Sequence, residues 1–261
     1  MTESFPRPRD IEKDKEFFLR EIENSSIEEI PVDFDEKSVE DLSVNIQKND
    51  LFLLGETHGA KENVDVIYTL FKKFDFRVLA LEWAQELKNV VDDFVESGEL
   101  DFDLIKDSPD GRITAGHFAL IKKLKDEQLL EKLICFDADT GGSNWDERDK
   151  SMADTILKKR TNSPVLVVAG NLHTKTTAIT FGGTPEEHHP MGEHIKESIP
   201  EVSSGKIAYL SGQYYNYGTK NFGNTSEQKD SGARFYSNDE GLYVFELPTA
   251  HTATVPNPEK D

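Results

Sequence analysis

Cysteine is almost absent from this sequence, since Cys135 is the single example among 261 residues. One cysteine excludes an intramolecular disulfide and a cysteine-based metal site. Cys135 stands in an apolar run, which predicts an inert, buried strand residue. Long hydrophobic runs are also missing: no stretch approaches the roughly 20 apolar residues of a membrane span, and residues 1–9 carry no apolar secretory segment. These absences predict a cytoplasmic protein.

Basic residues are scarce relative to acidic ones. The chain has 30 Lys and Arg residues against 50 Asp and Glu, which gives a net charge of −20. A field of that sign repels phosphate backbones and anionic lipid headgroups. Nucleic acid and membrane surfaces are therefore not expected as partners, whereas a small-molecule substrate is. The composition does not indicate an oligomeric state.

The organisation of the chain predicts a single α/β domain over residues 1–261, because there is no internal repeat and no linker long enough to force two domains. Its parts are an N-terminal helical lead over 1–48, a core over 49–247 and a frayed tail over 248–261. Residues 213–230, rich in Tyr, Asn and Gly, are predicted to form a long surface loop.

Apolar strands alternate with helical patterns from residue 51 onward. Such alternation implies parallel crossovers, and it predicts a mostly parallel central sheet with helices on both faces. The predicted helices span 10–22, 36–47, 62–73, 84–96, 114–125, 146–159 and 191–198, and the predicted strands span 51–54, 77–82, 132–136, 164–169, 206–210 and 242–247, the last as a closing edge strand.

The segment 51–59 organises the rest of the chain. Four apolar residues stop abruptly at Glu56 and His58, which lie between Gly55 and Gly59. A strand buried on both faces that ends in such a cluster delivers polar groups to the carboxyl edge of the sheet, where ligands bind in open α/β folds. The alternative is a plain turn with Glu56 capping the next helix and His58 solvated.

Polar side chains end three further predicted strands in the same way. Glu82 and Trp83 close the second strand, and Asp137 and Asp139 close the third. Since the carboxyl ends of parallel strands meet at one edge, this coincidence predicts a shared site there. The other candidates are Asn171 and His173 after the fourth strand, and His117 early in a helix, where it either faces the same cleft or caps the helix.

The residue types in this cluster suit hydrolysis by an activated water. An imidazole with a pKa near 6.5 is a general base at neutral pH, and Glu56 or Glu82 is placed to orient His58. No Ser or Cys stands in a nucleophile elbow, so water is the economical nucleophile. The alternative interpretation is a divalent metal site formed by Glu56, His58, Glu82 and His173.

Five ordered motifs resemble those of the erythromycin esterases, in a superfamily with the ChaN-like haem-uptake proteins and the Tiki metalloproteases. They are residues 55–59, Glu82, 148–153, 170–173 and 191–197, and the resemblance covers about 51–210. It implies a mostly parallel α/β core with the site at the strand ends. It also implies that the histidine of the first motif is the base on a water that opens a macrolactone ring, supported by acidic residues and a later histidine. Those roles fall on His58, Glu56, Glu82 and His173.

The resulting hypothesis is an erythromycin esterase-like hydrolase of an ester, lactone or related acyl bond in an unknown small molecule. His58 is the base, Glu56 or Glu82 orients it, and His173 or Arg148 stabilises the oxyanion. The alternative is a haem- or metal-binding ChaN- or Tiki-like protein. A divalent metal stays open, but the acidic surface disfavours an anionic porphyrin and haem is not expected. The predicted substrate contacts are Trp83, Asp137, Asp139, Arg148 and Asn171, and the candidate catalytic residues are His58, Glu56, Glu82, His173 and His117.

A histidine pair remains outside this cluster. His188 and His189 follow a Gly- and Pro-containing stretch, which indicates a loop. Adjacent side chains diverge in an extended segment. We therefore predict a mobile lid or rim at this position, in contrast to a preformed metal site.

Overall fold

A computed structural model describes residues 10–137, 144–180, 186–223 and 232–257. Within them, an eight-stranded sheet has the order β1-β11-β12-β8-β2-β5-β3-β4, and two short two-stranded ribbons stand apart from it. The strands are β1 Val32–Phe34, β2 Leu51–Glu56, β3 Val78–Ala84, β4 Lys132–Asp137, β5 Val165–Gly170, β6 Ile179–Thr180, β7 Glu187–His188, β8 Ser203–Tyr209, β9 Gln213–Tyr215, β10 Thr219–Asn221, β11 Ala233–Ser237 and β12 Tyr243–Leu247. The helices are α1 Ile11–Asn24, α2 Glu36–Asn49, α3 Asn63–Phe74, α4 Leu87–Ser97, α5 Ala115–Asp126, α6 Trp145–Lys159 and α7 Met191–Ser198.

The half of the sheet that carries the site is parallel throughout. Strands β8, β2, β5, β3 and β4 are neighbours in that order, and each pair runs in the same direction. Their carboxyl ends therefore share one edge. The mostly parallel α/β fold expected from the sequence is confirmed, with the antiparallel pairing of β11 and β12 as the exception within the main sheet.

Strand β2 shows why the sheet is covered on both faces. Successive side chains of a strand point to opposite faces, and Leu51 and Leu53 pack in one apolar cluster while Phe52 and Leu54 pack in another. All four are at most 1% exposed. Each such side chain contributes about 1.5–3 kcal/mol by burial. The continuous apolar run is thus explained by two cores, one of them lined by α6 and α7.

The far half of the sheet corrects two sequence-based predictions. The strand predicted over 242–247 as a closing edge is β12, which lies between β11 and β8. Strand β11 was not predicted from the sequence; in it Ala233 and Phe235 are buried, and Arg234 between them and Tyr236 after them are partly exposed. That alternation has the period of a half-buried strand. The loop predicted over 213–230 instead contains the β9-β10 hairpin in its described part.

The C-terminal segment also differs from its prediction as a frayed tail. Ala250 and Val255 are 1% and 2% exposed, and the Ala253 N–H donates to the Gly59 carbonyl at 2.9 Å. The Lys61 N–H in turn donates to the carbonyl of His251 at 2.7 Å. Residues 248–257 are ordered because their backbone satisfies the polar groups of the turn after β2. Residues 258–261 lie outside the described part.

In the described part of the chain, no helix has both the length and the apolar character needed to cross a membrane.

Candidate active site

The turn after β2 is shaped by two glycines. Gly59 has φ +75°, and a Cβ there would lie 1.8 Å from the carbonyl oxygen of Tyr215. A Cβ on Gly55 would lie 2.6 Å from Thr174 Oγ1 and 2.7 Å from Asn171 Oδ1. Neither position has room for a side chain, so this close packing holds Glu56 and His58 against the ends of the neighbouring strands.

His58 lies between two buried carboxylates. Its Nδ1 is 3.0 Å from Glu56 Oε1, and its Nε2 is 3.7 Å from Glu82 Oε2. Because a carboxylate only accepts, Nδ1–H donates to Glu56 and Nε2 is the nitrogen left for chemistry. The His58 side chain is 16% exposed. Burial, the largest single effect, lowers the pKa of His58, but the Glu56 hydrogen bond and the Glu82 charge outweigh it, so the pKa is raised above 6.5.

The carboxylate of Glu82 lies close to both His58 and His173. His58 Nε2 approaches Oε2 at 3.7 Å, while His173 Nε2 lies 3.6 Å from Oε1. The Gly170 N–H donates to Oε2 at 2.8 Å, and Arg148 Nη2 donates to Oε1 at 2.7 Å. Burial acts to raise the pKa of Glu82, but the charges of His173 and His58 when they are protonated, and those of Arg112 and Arg148, hold that pKa well below its usual range. The carboxylate is therefore ionised throughout the physiological range.

Two arginines surround this carboxylate, and sequence analysis identified only one of them. Arg148 donates to both oxygens of Asp137, at 3.0 and 2.9 Å, besides its bond to Glu82. Arg112 donates to Asp137 at 2.7 Å and through Nε to Asp110 at 2.6 Å, and its Nη1 is 3.4 Å from Glu82 Oε1. Arg112 stands in an irregular loop 30 positions from Glu82, so no periodicity marks it.

His173 is held by a second residue that the sequence did not reveal. Its Nδ1 lies 2.8 and 2.9 Å from the two oxygens of Asp149, which is fully buried. Its Nε2 accepts from Arg148 Nη1 at 3.2 Å. Since arginine only donates, His173 is the neutral tautomer with its proton on Nδ1. The ring also stacks on Trp145, with 4.6 Å between centroids and 12° between planes.

Other predicted site residues have supporting positions. Trp83 is 3% exposed and donates from Nε1 to the Arg112 carbonyl at 2.9 Å, so it lies beneath that arginine. His117 is 2% exposed with Nδ1 at 2.9 Å from Thr114 Oγ1, and burial lowers its pKa. Asn171 donates from Nδ2 to Thr57 Oγ1 at 3.3 Å. Asp139 lies outside the described residues.

The histidine pair lies at the side of this cluster. His188 is in the short strand β7, which pairs with β6, and its ring is 6.4 Å from that of Trp145. His189 Nδ1 is 3.1 Å from Glu193 Oε2, an exposed contact in the first turn of α7. The structure thus places the pair beside Trp145, and its role as a lid or rim stays a prediction.

The donor set suits arginine better than a divalent cation. In the part of the chain that the structure describes, no group of three or more His, Cys, Asp or Glu side chains is arranged to hold a metal ion. Glu82 and Asp137 already accept from Arg112 and Arg148. Two guanidinium charges at these oxygens repel a divalent cation and occupy the lone pairs that it would need.

A cavity of about 380 Å³ opens beside Glu82, and we refer to it as the Arg112 cavity. Glu82, Arg112 and Asp137 of the cluster line it, as do Leu104 and Tyr217, which are 55% and 57% exposed. A lining that combines charged and apolar side chains suits a small molecule that presents a polar bond to the cluster. The acidic residues that line it are Glu82, Glu86, Asp107, Asp110 and Asp137.

Solved structures of other proteins share this fold. A mutant of erythromycin esterase EreC in its open conformation is similar with a TM-score of 0.62 at 12% identity, over 84% of this chain and 95% of that one. A succinoglycan biosynthesis protein gives a TM-score of 0.58 at 11% identity, over 92% of this chain and 98% of that one. A protein from Bacillus cereus gives 0.54 at 11% identity, over 95% and 100%.

No protein-family model and no curated protein matches the sequence. The similarity therefore lies in the backbone, and it defines an α/β protein with the fold of erythromycin esterase EreC. This fold agrees with the one implied by the five motifs.

Proposed function

We propose that this protein is a hydrolase that uses a His58-activated water on an ester, lactone or related acyl bond. The observation that carries the proposal is the clamping of His58 between Glu56 and Glu82, at 3.0 and 3.7 Å. A carboxylate on Nδ1 fixes the tautomer and stabilises the imidazolium that forms when Nε2 takes a proton from water. The shared fold with an erythromycin esterase supports the same reaction class.

In this mechanism Arg148 stabilises the negative charge that develops on the substrate oxygen. A guanidinium has five N–H donors, and the structure gives four of them on Arg148 an acceptor, at Asp137 (two), Glu82 and His173. Among the described residues the fifth N–H of Arg148 has no acceptor, and in this proposal it donates to a substrate oxygen. A donor fixed in advance by its neighbours stabilises a developing oxyanion without reorganisation.

Neutral His173 assists this arrangement. Its Nε2 accepts from Arg148, and its Nδ1–H is held by Asp149, so it holds the guanidinium in place without adding charge. In this scheme His58 moves the proton, Glu56 orients it, and Glu82 and Asp137 position the arginines. The Arg112 cavity leaves room for substrate beside Glu82 and Arg112.

The test is a panel of activated esters and lactones assayed with wild type, His58→Ala and His251→Ala. General-base assistance is worth about 10²- to 10⁴-fold, so His58→Ala should lose at least that much kcat/KM on the best substrate. The His251 side chain is 70% exposed and pairs with Glu62, so His251→Ala is the matched histidine control and should keep wild-type rates. Equal rates for wild type and His58→Ala, with both proteins folded, would refute the assignment.

A further inference from the structure

A second cavity, of about 340 Å³, opens at the same sheet edge on the other side of β2. Asn171 is part of its wall and also donates to Thr57, the residue between Glu56 and His58. The cavity thus begins one residue away from the proposed base. We call it the lysine cavity, because Lys175 and Lys206 line it.

The charge of this cavity is opposite to that of the protein as a whole. Among the described residues that line it, none is acidic, although the chain contains 50 Asp and Glu residues. Lys175 and Lys206 are both half-buried. Within residues 10–137, 144–180, 186–223 and 232–257, neither ammonium group has an ion pair or hydrogen bond. Other lysines of this surface do form ion pairs, as Lys48 does with Glu201.

The sheet register places Lys206 beside Gly55, the residue before Glu56. Lys206 pairs with Gly55 in the parallel β2-β8 ladder, and paired residues of neighbouring strands present their side chains on the same face. A Cβ on Gly55 would meet Thr174 and Asn171. Lys206 therefore lies on the face covered by the 171–175 segment, which also carries Lys175.

We propose that the lysine cavity is an anion subsite, and that the substrate of this hydrolase carries a carboxylate or phosphate group that binds there while its scissile carbonyl lies at His58. The inference rests on the proposed function for the reacting bond. The lining also includes Ala208, which is two positions from Lys206 on the same strand, and Phe222; these apolar residues suit the carbon chain between the two groups. A net charge of −20 repels anions at long range, so recognition requires these local, unpaired cations.

The kinetic test compares two activated esters of equal length, the p-nitrophenyl half-ester of adipic acid and p-nitrophenyl hexanoate. They differ in a terminal carboxylate. An ion pair at a partly exposed site is worth up to about fivefold, so wild type should prefer the anionic ester by about 25-fold in kcat/KM. Lys175→Met and Lys206→Met should each lower this preference about fivefold, through the KM of the anionic ester. Lys37→Met, which removes the same charge from an exposed position on α2, is the control and should keep the preference.

A binding test separates this inference from the proposed function. Adipate is titrated calorimetrically into wild type, Lys37→Met and the Lys175→Met/Lys206→Met double variant at constant ionic strength. Binding to wild type and Lys37→Met that is lost in the double variant supports the subsite, even if no ester is hydrolysed. Equal adipate affinity in all three proteins, or a wild type that neither binds adipate nor prefers the anionic ester, would overturn it. If hexanoate is hydrolysed through His58 without such a preference, the subsite fails and the hydrolase stands.

Discussion

The two cavities at the carboxyl edge differ in how their charges are satisfied. In the Arg112 cavity, Arg112 is paired with Asp110, Asp137 and Glu82. In the lysine cavity, Lys175 and Lys206 face no carboxylate among the described residues. Charges that satisfy one another fix geometry, whereas an unpaired charge beside a cavity is available to a ligand. The paired charges of the Arg112 cavity therefore fix the geometry on one side of His58. The lysines on the other side are available to bind a substrate anion.

Glu82→Ala should disrupt the ion pairs of the Arg112 cavity most strongly, and it should lower the free energy of unfolding by about 3–5 kcal/mol. Removing one partner leaves buried charges uncompensated, and here Arg112 and Arg148 both lose an acceptor. Chemical denaturation measures the loss. Glu86→Ala removes an exposed carboxylate from the same cavity and should change stability by under about 0.5 kcal/mol. A similar small loss for Glu82→Ala would show that the pairing is not structural.

Gly59→Ala tests the backbone packing behind the Arg112 cavity, and it should cost about 3 kcal/mol or more. The new Cβ would combine a positive φ with a contact of 1.8 Å to the Tyr215 carbonyl oxygen. Gly98→Ala is the matched control, because Gly98 has φ +77° but nothing within 4 Å of its Cβ position. It should cost only about 1 kcal/mol. Equal thermal shifts for the two variants would mean that φ alone, and not the close approach, requires glycine at position 59.

Asp149→Asn should lower kcat/KM about 10- to 100-fold while the protein stays folded. Loss of an outer residue that orients a functional histidine has an effect of this size, and Asp149 holds the His173 tautomer at 2.8 Å. Asp154→Asn, in the same helix but paired only with exposed Lys150, is the control. NMR of the imidazole nitrogens provides the second readout: His173 should change tautomer in Asp149→Asn, and an unchanged tautomer would contradict the positioning role.

The pH dependence gives the smallest and most specific effect. His58 acts as a base only when neutral, and its pKa is raised above 6.5. Activity should therefore fall with decreasing pH around a midpoint above 6.5. The same shift contributes stability that is fully present below the unfolded pKa of about 6.5 and is lost as pH rises through the folded pKa. Glu56→Gln should move the midpoint of the kcat/KM profile to lower pH. The substitution removes the Glu56 charge, which raises the pKa of His58, while burial still lowers that pKa. An unmoved midpoint would assign the titration to another group.

Local patterns of the sequence determined the core of the fold. Residues 51–54 are apolar without interruption because β2 contributes to two clusters, and strands of this kind that alternate with helices favour a parallel sheet. Placing polar residues directly after such strands was enough to bring His58, Glu82 and His173 to one edge. These inferences need only the period of burial and the direction of the chain.

Tertiary structure alone decided which charges meet. Arg112 pairs with Glu82 and Asp137 across 30 and 25 positions, and Asp149 reaches His173 across 24. No periodic signal marks residues whose partners are distant in sequence. The burial of Ala250 and Val255 also depends on tertiary structure, because the backbone of this segment forms hydrogen bonds with the distant turn after β2. That Lys175 and Lys206 have no partner among the described residues likewise emerges only from the tertiary structure, which places Lys206 beside Gly55.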